Sequence, residues 1–171
     1  MQIKQQVTIN TSADLIWEIL GPRYDRVAEW ASSVHTSEKR NNDVIPQNAP
    51  CSGRVCETDL GSFKENITRY DESKKIISYN AQGEKMPFFV KQLANTWTVT
   101  PITNNQAKVD MCMEISIMPV FNLVMGPMMR MQMSGVAKKA IEELKYFVEN
   151  SAPHPRKLEA QQTNQLNSAL Y

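Results

Sequence analysis

MPVFNLVMGPMMRMQMSGVAKKAIEELKYFVEN, residues 118–150, is the stretch that decides the fold. It is the longest helical pattern in the chain, and the strand-like segments precede it. From Pro127 onward, Met133, Val136, Ala137, Ala140, Ile141 and Leu144 fall on one face at helical spacing. Arg130, Ser134, Lys138, Glu142, Lys145 and Glu149 fall on the opposite face. Gly126-Pro127 reads as a break between a short helix and the long one, because proline suits a first helical position. From Pro127 to Glu149 such a helix is roughly 34 Å long, enough to cross a domain of this size. The first half of the stretch is crowded with methionine, and Met111 to Met133 hold most of the chain's 10 methionines.

Working outward, the preceding segments alternate with a period of two. In Gln106–Met118, Val109, Met111, Met113, Ile115 and Ile117 face one way, and Asp110, Cys112, Glu114 and Ser116 the other. In Phe88–Pro101, Asn95, Trp97 and Val99 share a face opposite three threonines. Asn104-Asn105 joins the two as a hairpin turn. Earlier strands are expected at 2–10, 33–40, 54–59, 62–70 and 75–82. Between the first two lie a helix capped by Thr11 or Ser12 with the stripe Leu15, Ile16, Ile19 and Leu20, and a second short helix over 23–30. A seven-stranded antiparallel sheet then has one apolar face and one long helix to cover it. A curved sheet wrapped around that helix is the economical solution, and it leaves space between the two.

Composition bounds the function. A chain of 171 residues suits one domain with a substantial core. The net charge of +1 gives no electrostatic argument for nucleic acid. No window is apolar enough for stable membrane insertion, and MQIKQQVTINTS lacks a signal-peptide core, which favours the cytoplasm. Cys51, Cys56 and Cys112 form no CxxC pair and read as reduced thiols, a Cys51–Cys56 bridge being the lesser alternative. Beyond Asn150 the chain turns rich in Gln, Asn, Ser and Pro. The expectation is a domain over 1–150 and a flexible polar tail over 151–171.

Several local phrases resemble the START-like, Bet v 1-like (SRPBCC) superfamily, and within it the polyketide cyclase/dehydrase family. They are Ala28-Glu29-Trp30 followed by Val34, Gly53-Arg54-Val55, ENITRYD at 65–71, Met86-Pro87-Phe88, TWTVTP at 96–101 and LKYFVE at 144–149. Together they cover about residues 3–150. The resemblance implies an α+β helix-grip fold: a seven-stranded curved antiparallel sheet wrapped around a long C-terminal helix, with two short helices after the first strand. It also implies a deep pocket for a hydrophobic small molecule. It brings no invariant catalytic motif. Where the family often has His-Pro after the tryptophan, this chain has Ala31-Ser32.

The candidate ligand-binding residues are Trp30, Asn95, Trp97, Met111, Met113, Phe121, Met125 and Met128. Methionine is flexible and polarisable and suits adaptable apolar surfaces, but it is also ordinary core. Met129 and Met133, on the main stripe, read as core; Met125 and Met128, at the Gly-Pro break, read as cavity or portal lining. Trp97 is either core or pocket wall. Trp30 is either a guard at the pocket mouth or a packing plug, and Phe88, Phe89 and Phe121 flank an opening. Asn95 shares the face of Trp97 and is the first choice for a ligand hydrogen bond. Arg54, Glu65, Arg69 and Asn80 are possible polar pocket residues. Glu65 reads first as half of a solvated Arg–Glu pair, with a pocket acid or base as the alternative.

Phosphate-loop, nucleophile-elbow and metal-ligand patterns are absent, and no cofactor or metal is expected. The leading expectation is binding or carriage of a lipid, polyketide or isoprenoid-like compound. Cyclisation, aromatisation or dehydration of a polyketide in the same pocket is the alternative. A third reading is an interaction module, possible as a homodimer, with Leu158, Leu166 and Leu170 of the tail ordering on a partner.

Overall fold

The computed structural model describes the backbone of residues 1–168 and the side chains through residue 165. The elements run β1 (Gln2–Ile9), α1 (Ala13–Leu20), a 3-10 helix (Tyr24–Glu29), β2 (Thr36–Arg40), β3 (Gly53–Thr58), β4 (Gly61–Asp71) and β5 (Ile76–Gly83). They continue with β6 (Val90–Thr103), β7 (Gln106–Ile117), α2 (Pro119–Asn150) and α3 (Pro155–Ser168). The strands form one antiparallel sheet in the order β1-β7-β6-β5-β4-β3-β2. Strands β2 to β7 are a meander, and β1 returns to pair with β7 through Ile3–Met113 and Val7–Val109. The curved sheet grips α2, the helix-grip arrangement expected.

Local chemistry accounts for the turns. Thr103 pairs with Gln106, which leaves Asn104-Asn105 at the tip of the β6–β7 hairpin. Gly61 turns β3 into β4 with a φ of +96°, a conformation that side chains resist. Gly53 pairs with Asn66, and a Cβ there would lie 1.9 Å from the Glu65 carbonyl oxygen, so only glycine lets the two strands approach. Ser12 caps α1 by accepting from the Leu15 amide at 3.3 Å. The helix buries Ala13, Ile16, Trp17 and Leu20. Leu15, expected on that stripe, turns outward at 60% exposure.

The core is dense at one end. Ile9, Ile16, Ala107, Val109 and Leu144 have no accessible surface, where α2 packs on β1 and β7 and α1 packs on β6 and β7. All three cysteines are free, and Cys51 and Cys56 are buried. Among the described residues no helix is long and apolar enough to cross a membrane.

Two expectations about the C-terminal region are corrected. Gly126-Pro127 does not divide the helix: α2 runs unbroken from Pro119 to Asn150, with Pro127 inside it. Proline removes one helical hydrogen bond, and that loss is tolerable here because the surrounding turns, including Leu123 and Val124, are exposed and water can take up the freed carbonyl. Within the expected flexible tail, Pro155–Ser168 form a helix, α3. Its anchors are charged side chains rather than apolar ones. Lys157 is 1% exposed and donates to the Val34 carbonyl at 2.6 Å. Arg156 reaches Glu142 at 2.9 Å and Glu143 at 3.2 Å. Leu158 is 46% exposed; Leu170 and the side chain of Leu166 lie outside the described residues.

Candidate functional site

Beyond the dense end, sheet and helix separate around a cavity of about 400 Å³. That is within the range of small-molecule sites. Its floor is the inner face of β3 to β7, and its roof is Met133, Val136 and Ala140 of α2. The 3-10 helix closes one side with Tyr24, Val27 and Trp30. Where the lining is exposed, at Ser33, Asp59, Leu60 and Val136, the cavity opens between the β3–β4 turn and α2.

Most of the wall is apolar, and the polar groups in it are few and connected. Arg54 Nε donates to Glu65 Oε2 at 2.6 Å, and Tyr24 Oη donates to the same oxygen at 2.7 Å. Arg54 Nη1 also donates to the Tyr24 carbonyl. The guanidinium lies 3.9 Å from the centre of the Tyr24 ring and 5.4 Å from that of Tyr79. A planar, weakly hydrated cation suits such a sandwich. Tyr79 Oη receives two donors, Asn95 Nδ2 at 3.1 Å and Trp97 Nε1 at 3.4 Å. Trp97 in turn meets the edge of Trp30, with ring centres 6.4 Å apart.

Burial and mutual attraction keep Tyr24, Tyr79, Cys56 and Arg54 protonated near neutral pH. Burial raises Tyr79 to about 12, helped by the Glu65 charge. Burial also pushes Tyr24 well above the usual phenol value, with Arg54 opposing and Glu65 adding. Burial pulls against the charge of Arg54, but attraction to Glu65 and then Tyr24 outweighs it and leaves the guanidinium more firmly protonated than usual. Cys56 beneath them is raised to about 11 by burial. Near neutral pH the cavity therefore presents phenols, an amide and a closed ion pair. Among the described residues no group of three or more His, Cys, Asp or Glu is placed to hold a metal.

Of the residues singled out in the sequence, the cavity brings together Trp30, Asn95, Trp97, Met111, Met113, Arg54 and Glu65. Trp30 sits in the interior wall, 5% exposed, rather than at the mouth. The Arg54–Glu65 pair is buried, not a solvated surface pair. Arg69 is excluded. A bulge between Ile67 and Arg69 reverses the alternation of β4, so Arg69 points out toward Asp71 and Tyr70 takes the inward place against Trp17. Asn80 lies on the outer face, where it accepts from Gln92 at 3.3 Å.

Phe121, Met125 and Met128 do not line the cavity either. Phe121 stacks on Phe89 at 5.2 Å with Phe88 edge-on, an aromatic cluster where the β5–β6 loop meets the start of α2. Because α2 continues through Pro127 without a break, its helical phase carries Met128 outward, to 50% exposure. The same phase brings Met133, read as core, over the cavity. Tyr24 and Tyr79 were missed altogether. Tyr79 was detectable, since it alternates with the inward Ile77 and Ala81; Tyr24 carries no such signal.

The comparisons agree with this architecture. The START superfamily protein from Mycobacterium smegmatis superposes with a TM-score of 0.67 at 14% identity, covering 88% of this chain and 99% of that one. Truncated norcoclaurine synthase from Thalictrum flavum gives 0.65 at 14% identity, over 88% and 94% of the two chains. XoxI from Bacillus cereus gives 0.64 at 13% identity, over 87% and 96%. At these identities the likeness establishes the fold. No curated protein matches the chain by sequence. The family model described as polyketide cyclase / dehydrase and lipid transport matches residues 1–149, and the chain belongs to that family.

Proposed function

We propose that this protein binds and carries a hydrophobic small molecule, of lipid, polyketide or isoprenoid type, in the cavity between the sheet and α2. The observation that carries the reading is a largely apolar chamber of about 400 Å³ whose buried charges, Arg54 and Glu65, are already paired with each other. Burying apolar ligand surface there is favourable at about 25 cal/mol per Å². Met111, Met113 and Met133 can adjust to ligands of different outline. The family description, which includes lipid transport, supports the same reading. The test is native mass spectrometry of the protein after incubation with a lipid extract. Discrete adducts released by organic solvent are expected. A protein that stays uniformly unliganded, and that shows no saturable binding of an apolar fluorophore, overturns the proposal.

One observation favours a second reading: Glu65 and Asn95 both face the cavity, as an enzyme folding a polyketide-like chain would require. In that case the cavity would hold the chain in a reactive conformer, with proximity supplying much of the rate. The tyrosines stay protonated and Glu65 is occupied by two donors, which weakens the case for proton abstraction. Turnover of a poly-β-ketone substrate, lost in Glu65→Gln, would favour the enzyme over the carrier.

A further inference from the structure

Four buried side-chain polar atoms lack a hydrogen-bond partner among the described residues, and only Asn95 Oδ1 belongs to a residue lining the cavity. Asn95 is 7% exposed, on the inward face of β6 between Leu93 and Trp97. Its Nδ2 donates to Tyr79 Oη at 3.1 Å, which fixes the amide and leaves the carbonyl end free. Tyr79 Oη accepts from Asn95 and Trp97, so its own proton is available to a third group. An acceptor and a donor thus lie side by side in a mostly apolar wall. A buried carbonyl left without a donor is costly, so such a site discriminates between ligands that can and cannot complete it.

We propose that the ligand is a neutral alcohol or phenol whose hydroxyl is seated between Asn95 Oδ1 and Tyr79 Oη, donating to the first and accepting from the second. The inference rests on the carrier reading above and narrows it to hydroxyl-bearing apolar compounds. A hydroxyl matches the site because it donates and accepts through one atom. A ketone or ether can accept from Tyr79 but leaves Asn95 unanswered. A carboxylate is disfavoured. The Arg54 charge is already taken by Glu65 and by the Tyr24 carbonyl, and Glu65 itself lines the cavity as a second anion. A water held at this point would be displaced without loss only by a group that reproduces both of its bonds.

The test is a matched series on one skeleton: 2-naphthol, 2-methoxynaphthalene and naphthalene, with dodecanol against dodecanoate as the aliphatic pair. Affinities are read by calorimetry and by quenching of Trp30 and Trp97, for the wild type, Asn95→Leu and Tyr79→Phe. Each hydroxyl compound is expected to bind about tenfold tighter than its ether, hydrocarbon or carboxylate counterpart in the wild type. Asn95→Leu, close in size, should abolish that preference, so that 2-naphthol, its ether and naphthalene bind with one common affinity. Tyr79→Phe should reduce it in part. The proposal is overturned if ether and hydrocarbon bind as tightly as the alcohol, if dodecanoate matches dodecanol, or if the preference survives Asn95→Leu. If no compound binds at all, the carrier reading falls as well, so the two failures are distinguishable.

Discussion

The buried pair Arg54–Glu65 gives a prediction that separates wall from machinery. Arg54 is 5% exposed, and Glu65 Oε2 is its carboxylate partner at 2.6 Å. Glu65→Leu leaves a cation in the wall with one backbone carbonyl and two aromatic faces. Breaking a buried pair from one side costs about 3–5 kcal/mol. For a chain of this size that lowers the melting temperature by about 6–20 °C. Arg54→Met strands the carboxylate instead, with Tyr24 Oη as its remaining donor, and should cost a similar amount. The double variant Arg54→Met/Glu65→Leu removes both charges. It leaves the Tyr24 carbonyl and hydroxyl short of one partner each, about 1 kcal/mol apiece. The double should therefore be more stable than either single variant, with a coupling of several kcal/mol in a urea-unfolding cycle and an unchanged m-value. If the pair is wall and not machinery, the double variant also keeps its affinity for neutral apolar ligands. Additive losses would refute the reasoning, because they would mean that the two side chains do not compensate each other's charge.

Ala140→Phe puts a ring into the cavity from α2; apolar ligand affinity should fall roughly tenfold or more with stability unchanged or raised, and undiminished affinity would place the ligand elsewhere. Alkaline pH should unfold the protein. Cys56 is raised from 9.0 to about 11 and Tyr79 from 10.0 to about 12, so in the folded state both keep their protons longer than in the unfolded chain. Their contribution is fully present below pH 9.0 and is lost as pH rises through about 12, so tyrosinate absorbance should appear together with loss of structure; early ionisation of Tyr79 in the folded protein would refute the assignment. Ending the chain at Asn150 removes the donors Arg156 and Lys157 and should cost about 2 kcal/mol or more, a fall of roughly 5 °C; a melting temperature unchanged within error would make α3 a bystander.

How much of this was legible depends on where local rules held. The β6–β7 pair keeps strict register from Gln92 to Pro101, so alternation alone put Asn95, Trp97, Met111 and Met113 on the inner face. In β4 one extra residue at the bulge inverted the count, and Arg69 was assigned to the wrong side. Periodicity has no sign for a bulge that glycine does not mark. Gly126-Pro127 misled in the other direction: the local preference for a break gave way to a continuous α2, and the phase of Met125, Met128 and Met133 moved with it. The pairing of Arg54 with Glu65 follows from the β3–β4 register, in which the two residues are opposite each other. That register was within reach once Gly61 was recognised as the turn. The contribution of Tyr24 was not, because the 3-10 helix has no period that specifies which side chain faces the sheet.

The C-terminal segment was misread because composition counts Arg156 and Lys157 as solvated, whereas the fold uses them as connectors. Glu143 is 1% exposed and accepts from the Ser32 amide at 2.8 Å and the Ser32 hydroxyl at 2.7 Å, with Arg156 beside it. Lys157, its charge disfavoured by burial and supported by Glu143, holds the Val34 carbonyl from the other side. Each of these groups alone would be expensive to bury, and together they answer one another. The segment they fix, Ser32 to Val34, carries lining residues of the cavity at Ser33 and Val34. α3 therefore stabilises the wall beside the cavity mouth although it lies beyond the matched family region. The chamber's shape is set by two polar arrangements, this seam and the Arg54–Glu65–Tyr24 cluster. The Arg54–Glu65–Tyr24 cluster is closed on itself, and among the residues that line the cavity Asn95 keeps a buried carbonyl oxygen without a partner.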